Sequence, residues 1–211
     1  MNNSRIAGFA AVLTAALISA AACRTRDASA SLPPRASLPA GGGVVDSAIA
    51  PAEALKRFRA GLDPVAGFDR NAARSRDLLV ARFLDAVAAR DTAALRRLRL
   101  SRAEFAYLYY PSTQYTRPPY ETAPDILWQL MSERSASGMR RAVARVGGGP
   151  IRLVGYACEP EPKLEGRNRF FERCRLRYQR AGADSIEQRR LFGSIIARDG
   201  RYKFVSYAND F

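Results

Sequence analysis

Aromatic side chains with polar tips are concentrated in one short stretch of the chain. It holds five of the nine tyrosines and the single tryptophan: Tyr107, Tyr109, Tyr110, Tyr115, Tyr120 and Trp128. Such side chains suit a ligand-binding cleft or a protein interface, because each combines a large apolar surface with one hydrogen-bonding group. The neighbouring Pro118-Pro119 pair predicts a shaped loop. The alternative is structural, with half of the rings facing the core and half covering its rim.

Three glutamates follow later in the chain, at Glu159, Glu161 and Glu165. Clustered carboxylates can perform acid–base chemistry or bind calcium. Their spacing matches no calcium-binding loop, and two prolines lie among them. We therefore interpret them as a solvated turn.

Arginines occupy alternate positions at Arg173, Arg175 and Arg177. Because successive side chains of a strand point to opposite faces, these residues predict a basic stripe on one face of a sheet. Guanidinium groups on such a stripe can hold a carboxylate or a phosphate. The alternative is that this face is simply the solvated one.

The chain contains no histidine. This excludes histidine-based triads, histidine general bases and zinc sites with a histidine ligand. We find no other catalytic motif, so we assign no catalytic residue, no cofactor and no metal site. Whether the domain is an enzyme stays open, and the sequence favours a non-enzyme.

Cysteine usage predicts one disulfide. The chain has three cysteines, Cys23, Cys158 and Cys174, of which Cys23 directly follows an apolar N-terminal run. In an oxidising compartment the other two can pair. The bridge would close a loop over 160–173 and stabilise the fold by roughly 3 kcal/mol on the chain-entropy model. The alternative is two reduced, buried thiols.

The strand pattern supports this pairing independently. Residues 151–159 and 170–180 each have the composition of a strand, and the second alternates apolar residues with arginines. An antiparallel register with the cysteines opposite each other separates apolar from polar faces: Tyr156 opposite Leu176, Val154 opposite Tyr178, and Ala157 and Gly155 opposite Arg175 and Arg177. A slip by one residue would mix the faces.

Helical spacing of apolar residues predicts four helices. They cover 51–61, 72–90, 93–99 (capped by Asp91 or Thr92) and a last helix from Pro124 to Gly147. In the last helix we expect Ile126, Leu127, Leu130 and Met131 on the buried side. Ser135, Ser137 and Gly138 should weaken or kink it.

The remaining patterns predict strands. Ser101–Glu104 has the form of a capping box, yet the aromatic run Phe105–Tyr110 favours a strand. A third strand of the final sheet should cover 186–198. Asp199-Gly200 is typical of a two-residue hairpin turn to a fourth strand over 201–208, which sets Ile195 opposite Phe204 and Ala197 opposite Tyr202.

The N-terminus has the features of a secretory signal. Arg5 precedes an apolar run over 6–22 that ends in small residues. The run is also long enough for an uncleaved membrane anchor, which stays the alternative. We expect a signal peptide over 1–22, a flexible linker over 23–48 that is rich in Ala, Ser, Pro and Gly, and a single domain over 49–211.

The segment ending at Cys23 resembles a bacterial lipobox, in which small residues precede a lipidated cysteine. It departs from the pattern at Ala20, where the lipobox usually has leucine. The resemblance implies lipidation of Cys23, and Arg24 after it implies the periplasmic face of the outer membrane. The alternative is an ordinary signal peptide with a chance cysteine.

The formal charge is +14, almost all of it from arginine. A basic chain can bind nucleic acid, but an exported protein rarely meets it, so we expect no nucleic-acid partner. Anionic lipid, acidic cell-wall polymer or an envelope protein are the expected partners, beside the membrane itself. A solvated basic surface is the alternative.

The element order predicts an α+β fold, with N-terminal helices packed on a curved, cone-like antiparallel sheet of four or five strands. The helical hairpin over 83–95, with its polar break at Arg90-Asp91, resembles the nuclear transport factor 2-like family, which includes ketosteroid-isomerase-like proteins. The resemblance covers 70–211 and implies a cone with one open end. No segment aligns with the family's catalytic residues. We therefore expect a non-catalytic binding domain, the alternative being a small-molecule carrier or an enzyme of the ketosteroid-isomerase-like kind.

Overall fold

The computed structural model describes residues 49–211. The predicted signal peptide, the lipidation at Cys23 and the linker lie outside the described residues. Within 49–211, no helix combines the length and the apolar composition needed to cross a bilayer.

Three helices form where apolar spacing predicts them: α1 (Pro51–Arg59), α2 (Arg76–Ala88) and α3 (Thr92–Leu98). Their starts follow from local capping. The Ser75 side chain accepts a hydrogen bond from the backbone N–H of Leu78, and Asp91 accepts one from Ala94 at 2.8 Å. The second of these confirms Asp91 as the cap of α3.

The strand predicted over Phe105–Tyr110 is wrong, because this stretch is helical. Helix α4 (Arg102–Glu104) continues as a π-helical turn (Phe105–Tyr109), followed by short 3-10 turns at Tyr110–Ser112 and Gln114–Thr116. Both hydrogen bonds of the capping box between Ser101 and Glu104 are formed. The capping box therefore determines the backbone conformation of this stretch, and the aromatic composition does not.

Helix α5 (Pro124–Val146) runs without interruption, so the predicted weakening at Ser135–Gly138 is wrong. These small residues instead admit the C-terminal segment. Ser135 Oγ accepts a hydrogen bond from Tyr207 N at 3.1 Å, and a Cβ at Gly138 would overlap the Tyr207 carbonyl oxygen. At the start of α5, Leu127 is buried as expected, whereas Ile126 and Leu130 are 49% and 43% exposed.

The described residues form seven strands: β1 (Ile151–Ala157), β2 (Lys163–Glu165), β3 (Asn168–Phe171), β4 (Arg175–Arg180), β5 (Glu187–Arg189), β6 (Ile195–Arg198) and β7 (Arg201–Phe204). They make two antiparallel sheets, β1-β4-β5 and β2-β3-β6-β7. The α+β class is confirmed. The predicted single sheet of four or five strands is instead two sheets of three and four.

The predicted disulfide is confirmed: Cys158 and Cys174 are bonded at 2.04 Å. The register is also as predicted for Tyr156 opposite Leu176 and for Ala157 and Gly155 opposite the two arginines. One pair is wrong. A bulge between Leu153 and Gly155 places Leu153, and not Val154, opposite Tyr178, which leaves Val154 exposed.

Two long strands of the prediction are each broken in two. The strand expected over 170–180 divides into β3 and β4 at Arg173, where φ is +49°, and the one over 186–198 divides into β5 and β6. In both cases the chain passes from one sheet to the other. The β2–β3 hairpin falls in the predicted loop and was not anticipated, whereas the Asp199-Gly200 hairpin has the predicted register.

The four-stranded sheet is buried on both faces at its centre, along β6. Neighbouring residues of β6 belong to different apolar clusters, Ile195 to the first and Ile196 to the second. In the first cluster Phe83 of α2 contacts Phe204 of β7, with ring centroids 5.4 Å apart. The second cluster gathers around Phe105 and includes the start of α5, and a cleft lies beside it.

Candidate functional site

A cleft of about 390 Å³ lies between the 109–122 segment, helix α5 and the four-stranded sheet. We call it the tyrosine cleft and define it by Tyr109, Thr113, Tyr115, Tyr120, Met131 and Phe170. Three of the six aromatic residues singled out in the sequence therefore line one site. Its size fits a small organic molecule.

One wall of the tyrosine cleft is apolar. Leu127, Leu130 and Met131 line it from α5, and Phe170 of β3 and Val205, which follows β7, line it from the other side. The exposure of Leu130, unexpected from the helical pattern, follows from this position on an open wall. An apolar ligand body would remove these side chains from water.

Tyr109 lies at the buried side of the cleft. Burial raises the pKa of its hydroxyl to about 12; the nearby Thr113 hydroxyl lowers it and the Glu165 carboxylate raises it further. The phenol is therefore protonated at neutral pH. It can donate a hydrogen bond to a ligand oxygen or nitrogen.

Thr113 lies beside Tyr109 in the lining of the cleft. The residue is 1% exposed, and its hydroxyl lies close enough to the Tyr109 phenol to lower the pKa of that phenol. Because the Thr113 hydroxyl is itself buried, it contacts Tyr109 and is not presented to a ligand in the cleft.

The charges of the cleft are unequally satisfied. Lys163 Nζ lies 2.7 Å from Glu165 Oε1 and donates to Gln114 Oε1 at 2.8 Å. Its hydrogen bond with Glu165 raises the pKa of the Lys163 ammonium, against the lowering effect of burial. Glu172 and Arg134 also line the cleft, and neither belongs to an ion pair within residues 49–211. The lining therefore carries two cations and two carboxylates, which balance in charge.

Tyr115 and Tyr120 form the aromatic part of the cleft. Their ring centroids are 5.4 Å apart in an edge-to-face arrangement, and Tyr120 is largely exposed. The backbone of this segment is held by a hydrogen bond from Thr122 N to the Tyr115 carbonyl oxygen at 2.8 Å. A ligand entering here would pass along an aromatic edge.

The other aromatic candidates lie outside the cleft. Tyr107 donates to the Leu62 carbonyl oxygen at 3.4 Å, and the Arg59 guanidinium covers its ring at 4.4 Å. Tyr110 is buried and donates to the Thr122 carbonyl oxygen at 2.9 Å. The Trp128 ring packs against Phe105 in the second apolar cluster, 5.1 Å between centroids. Of the three, Tyr110 contacts a residue of the cleft lining, Thr122.

Arg173, Arg175 and Arg177 line a separate, shallow groove of about 500 Å³ together with Gly155 and Gln188. The groove lies along paired strands β1 and β4. None of its residues lines the tyrosine cleft. The sequence candidates therefore divide between two sites.

Sequence reasoning missed several cleft residues. Glu165, interpreted as part of a solvated turn, is on β2, and its side chain is only 10% exposed and ion-paired. The spacing of Lys163 and Glu165, two residues apart, was a usable signal, since a strand puts such a pair on one face. Nothing in the sequence marked Thr113 or Glu172.

Comparison with protein-family models, with curated proteins and with solved structures finds no match. Among the described residues, no three His, Cys, Asp or Glu side chains are grouped so that they could hold a metal ion.

Proposed function

We propose that this chain is an exported, lipid-anchored protein of the bacterial envelope whose domain binds a small amphipathic ligand in the tyrosine cleft without transforming it. The export signal and the lipobox-like residues up to Cys23 support the location. The tyrosine cleft supports the binding function.

The observation that carries the proposal is the protonated Tyr109 phenol beside the apolar wall of the tyrosine cleft. The phenol can donate a hydrogen bond to a ligand acceptor. Leu130, Met131 and Val205 supply apolar contacts for the rest of the ligand.

The lining restricts the ligand class. The wall formed by Leu127, Met131 and Val205 favours an apolar body. The two carboxylates of the cleft lining are balanced by two cations. We therefore propose a ligand with an uncharged polar end.

We further propose that the two sheets are parts of one curved, cone-like wall packed against the helices, as the resemblance to the nuclear transport factor 2-like family implies. The support is the course of the chain, which leads from β3 of one sheet into β4 of the other, and from β5 into β6. On this proposal the tyrosine cleft is the open end of the cone.

A second candidate function is proton transfer of the ketosteroid-isomerase-like kind. It is favoured by the position of Glu172 in the same cleft as Tyr109, with no ion pair to Glu172 within 49–211. Glu172 would act as the base and the Tyr109 phenol as the hydrogen-bond donor. This function would be favoured over simple binding if the wild type released the bound molecule in a chemically altered form and the Glu172→Gln variant released it unaltered.

The experiment is native mass spectrometry of residues 24–211 produced in an oxidising compartment. We expect extra mass that leaves on denaturation, and its chemical identification gives the ligand. A matched Tyr109→Phe variant should retain less of it, whereas Tyr107→Phe, outside the cleft, should retain as much as the wild type. A bare chain in all three, even after exposure to an extract of envelope small molecules, would refute the proposal.

A further inference from the structure

We propose that the outer face of the three-stranded sheet docks on an anionic membrane surface, with the guanidinium groups of Arg173, Arg175 and Arg177 engaging lipid phosphates. We call this surface the arginine groove and define it by these arginines, Gly155, Ala157 and Gln188. It is separate from the tyrosine cleft.

The register of β1 and β4 makes the groove. Arg177 lies opposite Gly155, and Arg175 lies opposite Ala157, so each long basic side chain faces a small one. A Cβ at Gly155 would meet no heavy atom within 4 Å, which shows that the floor is open. Across β4 on the other side, Arg177 lies opposite the neutral Gln188. A phosphate group can therefore approach the guanidinium groups from this face without a steric barrier.

The charge of the groove is strongly unbalanced. Arg175 and Arg177 are exposed and take part in no ion pair within residues 49–211. Arg173 contacts the single carboxylate of the groove, Glu159 Oε1, at 3.1 Å, and its side chain is 78% exposed. Three guanidinium groups thus face one carboxylate. This is the charge complement of a phosphate-bearing surface.

The arginines are held in position from behind. Leu176 and Tyr178 alternate with them on β4 and are fully buried, so the strand cannot rotate its basic face inward. Cys174, between Arg173 and Arg175, is bonded to Cys158. Alternate residues of a strand are about 7 Å apart, so Arg175 and Arg177 can engage neighbouring phosphates at once.

The choice of a membrane over a soluble polyanion rests on the proposed function, which anchors the chain to lipid. Each basic residue near an anionic bilayer contributes about fivefold in affinity. Docking of the arginine groove would add to the anchor and would fix which way the tyrosine cleft faces.

The test is vesicle sedimentation with residues 24–211. This chain lacks Cys23 and so carries no lipid, and it retains the whole unit Ser47–Phe211. Vesicles of mixed phosphatidylglycerol and phosphatidylcholine are compared with pure phosphatidylcholine. The groove variant is Arg175→Gln/Arg177→Gln. The matched control is Arg96→Gln/Arg140→Gln, which removes the same charge from exposed positions on α3 and α5.

We expect binding to the mixed vesicles only, a loss of about 25-fold in the groove variant, and a several-fold smaller loss in the control. Equal losses in both variants would overturn the proposal, because binding would then follow net charge alone. It would also be overturned if a soluble polyanion such as polygalacturonate required the groove while vesicles did not. Retention of the cleft ligand is measured on the same groove variant. If the ligand is kept, failure of docking leaves the proposed cleft function intact.

Discussion

Lys203 Nζ lies 2.9 Å from Glu104 Oε2, and both side chains are only 1% exposed. Glu104 also accepts hydrogen bonds from the backbone N–H groups of Ser101 and Asp69, at 2.7 and 2.8 Å. Lys203 reaches the Asp69 carboxylate as well, at 2.9 Å. This buried network joins β7 to the capped start of α4, the helix that leads into the tyrosine-rich segment.

Replacing Lys203 with methionine should destabilise the domain by about 3–5 kcal/mol, because the Glu104 carboxylate would stay buried without its cation. Urea denaturation of wild type and variant measures the difference. Arg57→Met is the control: its ion pair with Glu53 has the same 2.9 Å separation but is exposed, and we expect a change below about 1 kcal/mol. Equal effects of the two substitutions would contradict the structural role of the buried pair.

Reduction of the disulfide should lower the free energy of unfolding by about 3 kcal/mol, since Cys158 and Cys174 close a loop of 16 residues. The measurement is urea denaturation with and without reductant, with Cys158→Ala/Cys174→Ala as the control, which should be insensitive to reductant. Two titratable thiols in the untreated native protein would show that the bridge is not formed.

Gly138→Ala should destabilise the domain by about 3 kcal/mol, although alanine ordinarily stabilises a helix by about 1 kcal/mol over glycine. The added Cβ would meet the Tyr207 carbonyl oxygen, a backbone atom that cannot move aside easily. Gly67→Ala is the control, because its Cβ would meet nothing within 4 Å. Thermal unfolding of both variants distinguishes them, and a stabilised Gly138→Ala variant would contradict the close approach.

Stability should fall as the pH rises above 10. Burial raises the pKa of Tyr109 and of Tyr178 to about 12, and it raises the pKa of Tyr207 as well. Because the pKa of these tyrosines is higher in the folded state, the unfolded chain loses its phenol protons first as the pH rises. The stabilisation from their burial is therefore complete below pH 10 and is lost progressively between pH 10 and 12. Each tyrosine contributes a slope of up to about 1.4 kcal/mol per pH unit.

The check on this pH dependence is phenolate absorbance at 295 nm together with far-UV circular dichroism during an alkaline titration. We expect ionisation of the buried group of tyrosines to coincide with unfolding. Titration of all nine tyrosines near pH 10 with the fold intact would contradict the burial.

Much of the fold could be predicted where the local pattern of apolar residues and the pairing of the strands point to the same register. The Cys158–Cys174 bridge and the facing of Tyr156 and Leu176 followed from one register, since a slip would have exposed apolar residues. The bulge at Val154 could not be predicted, because both it and Leu153 are apolar and either could face Tyr178. The aromatic run after Glu104 fits a strand by composition, and only the completed capping box decides for a helix.

The tyrosine cleft was visible in the sequence only in part. Tyr109, Tyr115 and Tyr120 are close in the chain and could be noticed as a group. Thr113 is a common residue type that nothing in the sequence singles out. Glu172 lies some sixty residues further along the chain, so only the tertiary structure brings it to the cleft. From the sequence, Gly138 predicts a weak point in α5. Its close approach to Tyr207 depends on the tertiary structure and could not be predicted from the helix alone.

The most direct test of the central claim is a paired measurement on Tyr109→Phe. Phenylalanine keeps the ring and removes the hydroxyl that would donate to the ligand, so we expect the ligand-free domain to stay folded. In native mass spectrometry the same variant should retain less of the mass that the wild type releases on denaturation. An intact fold with weaker ligand retention is the predicted result. A variant that keeps the ligand as fully as the wild type would contradict a binding role for the Tyr109 hydroxyl and for the cleft built around it.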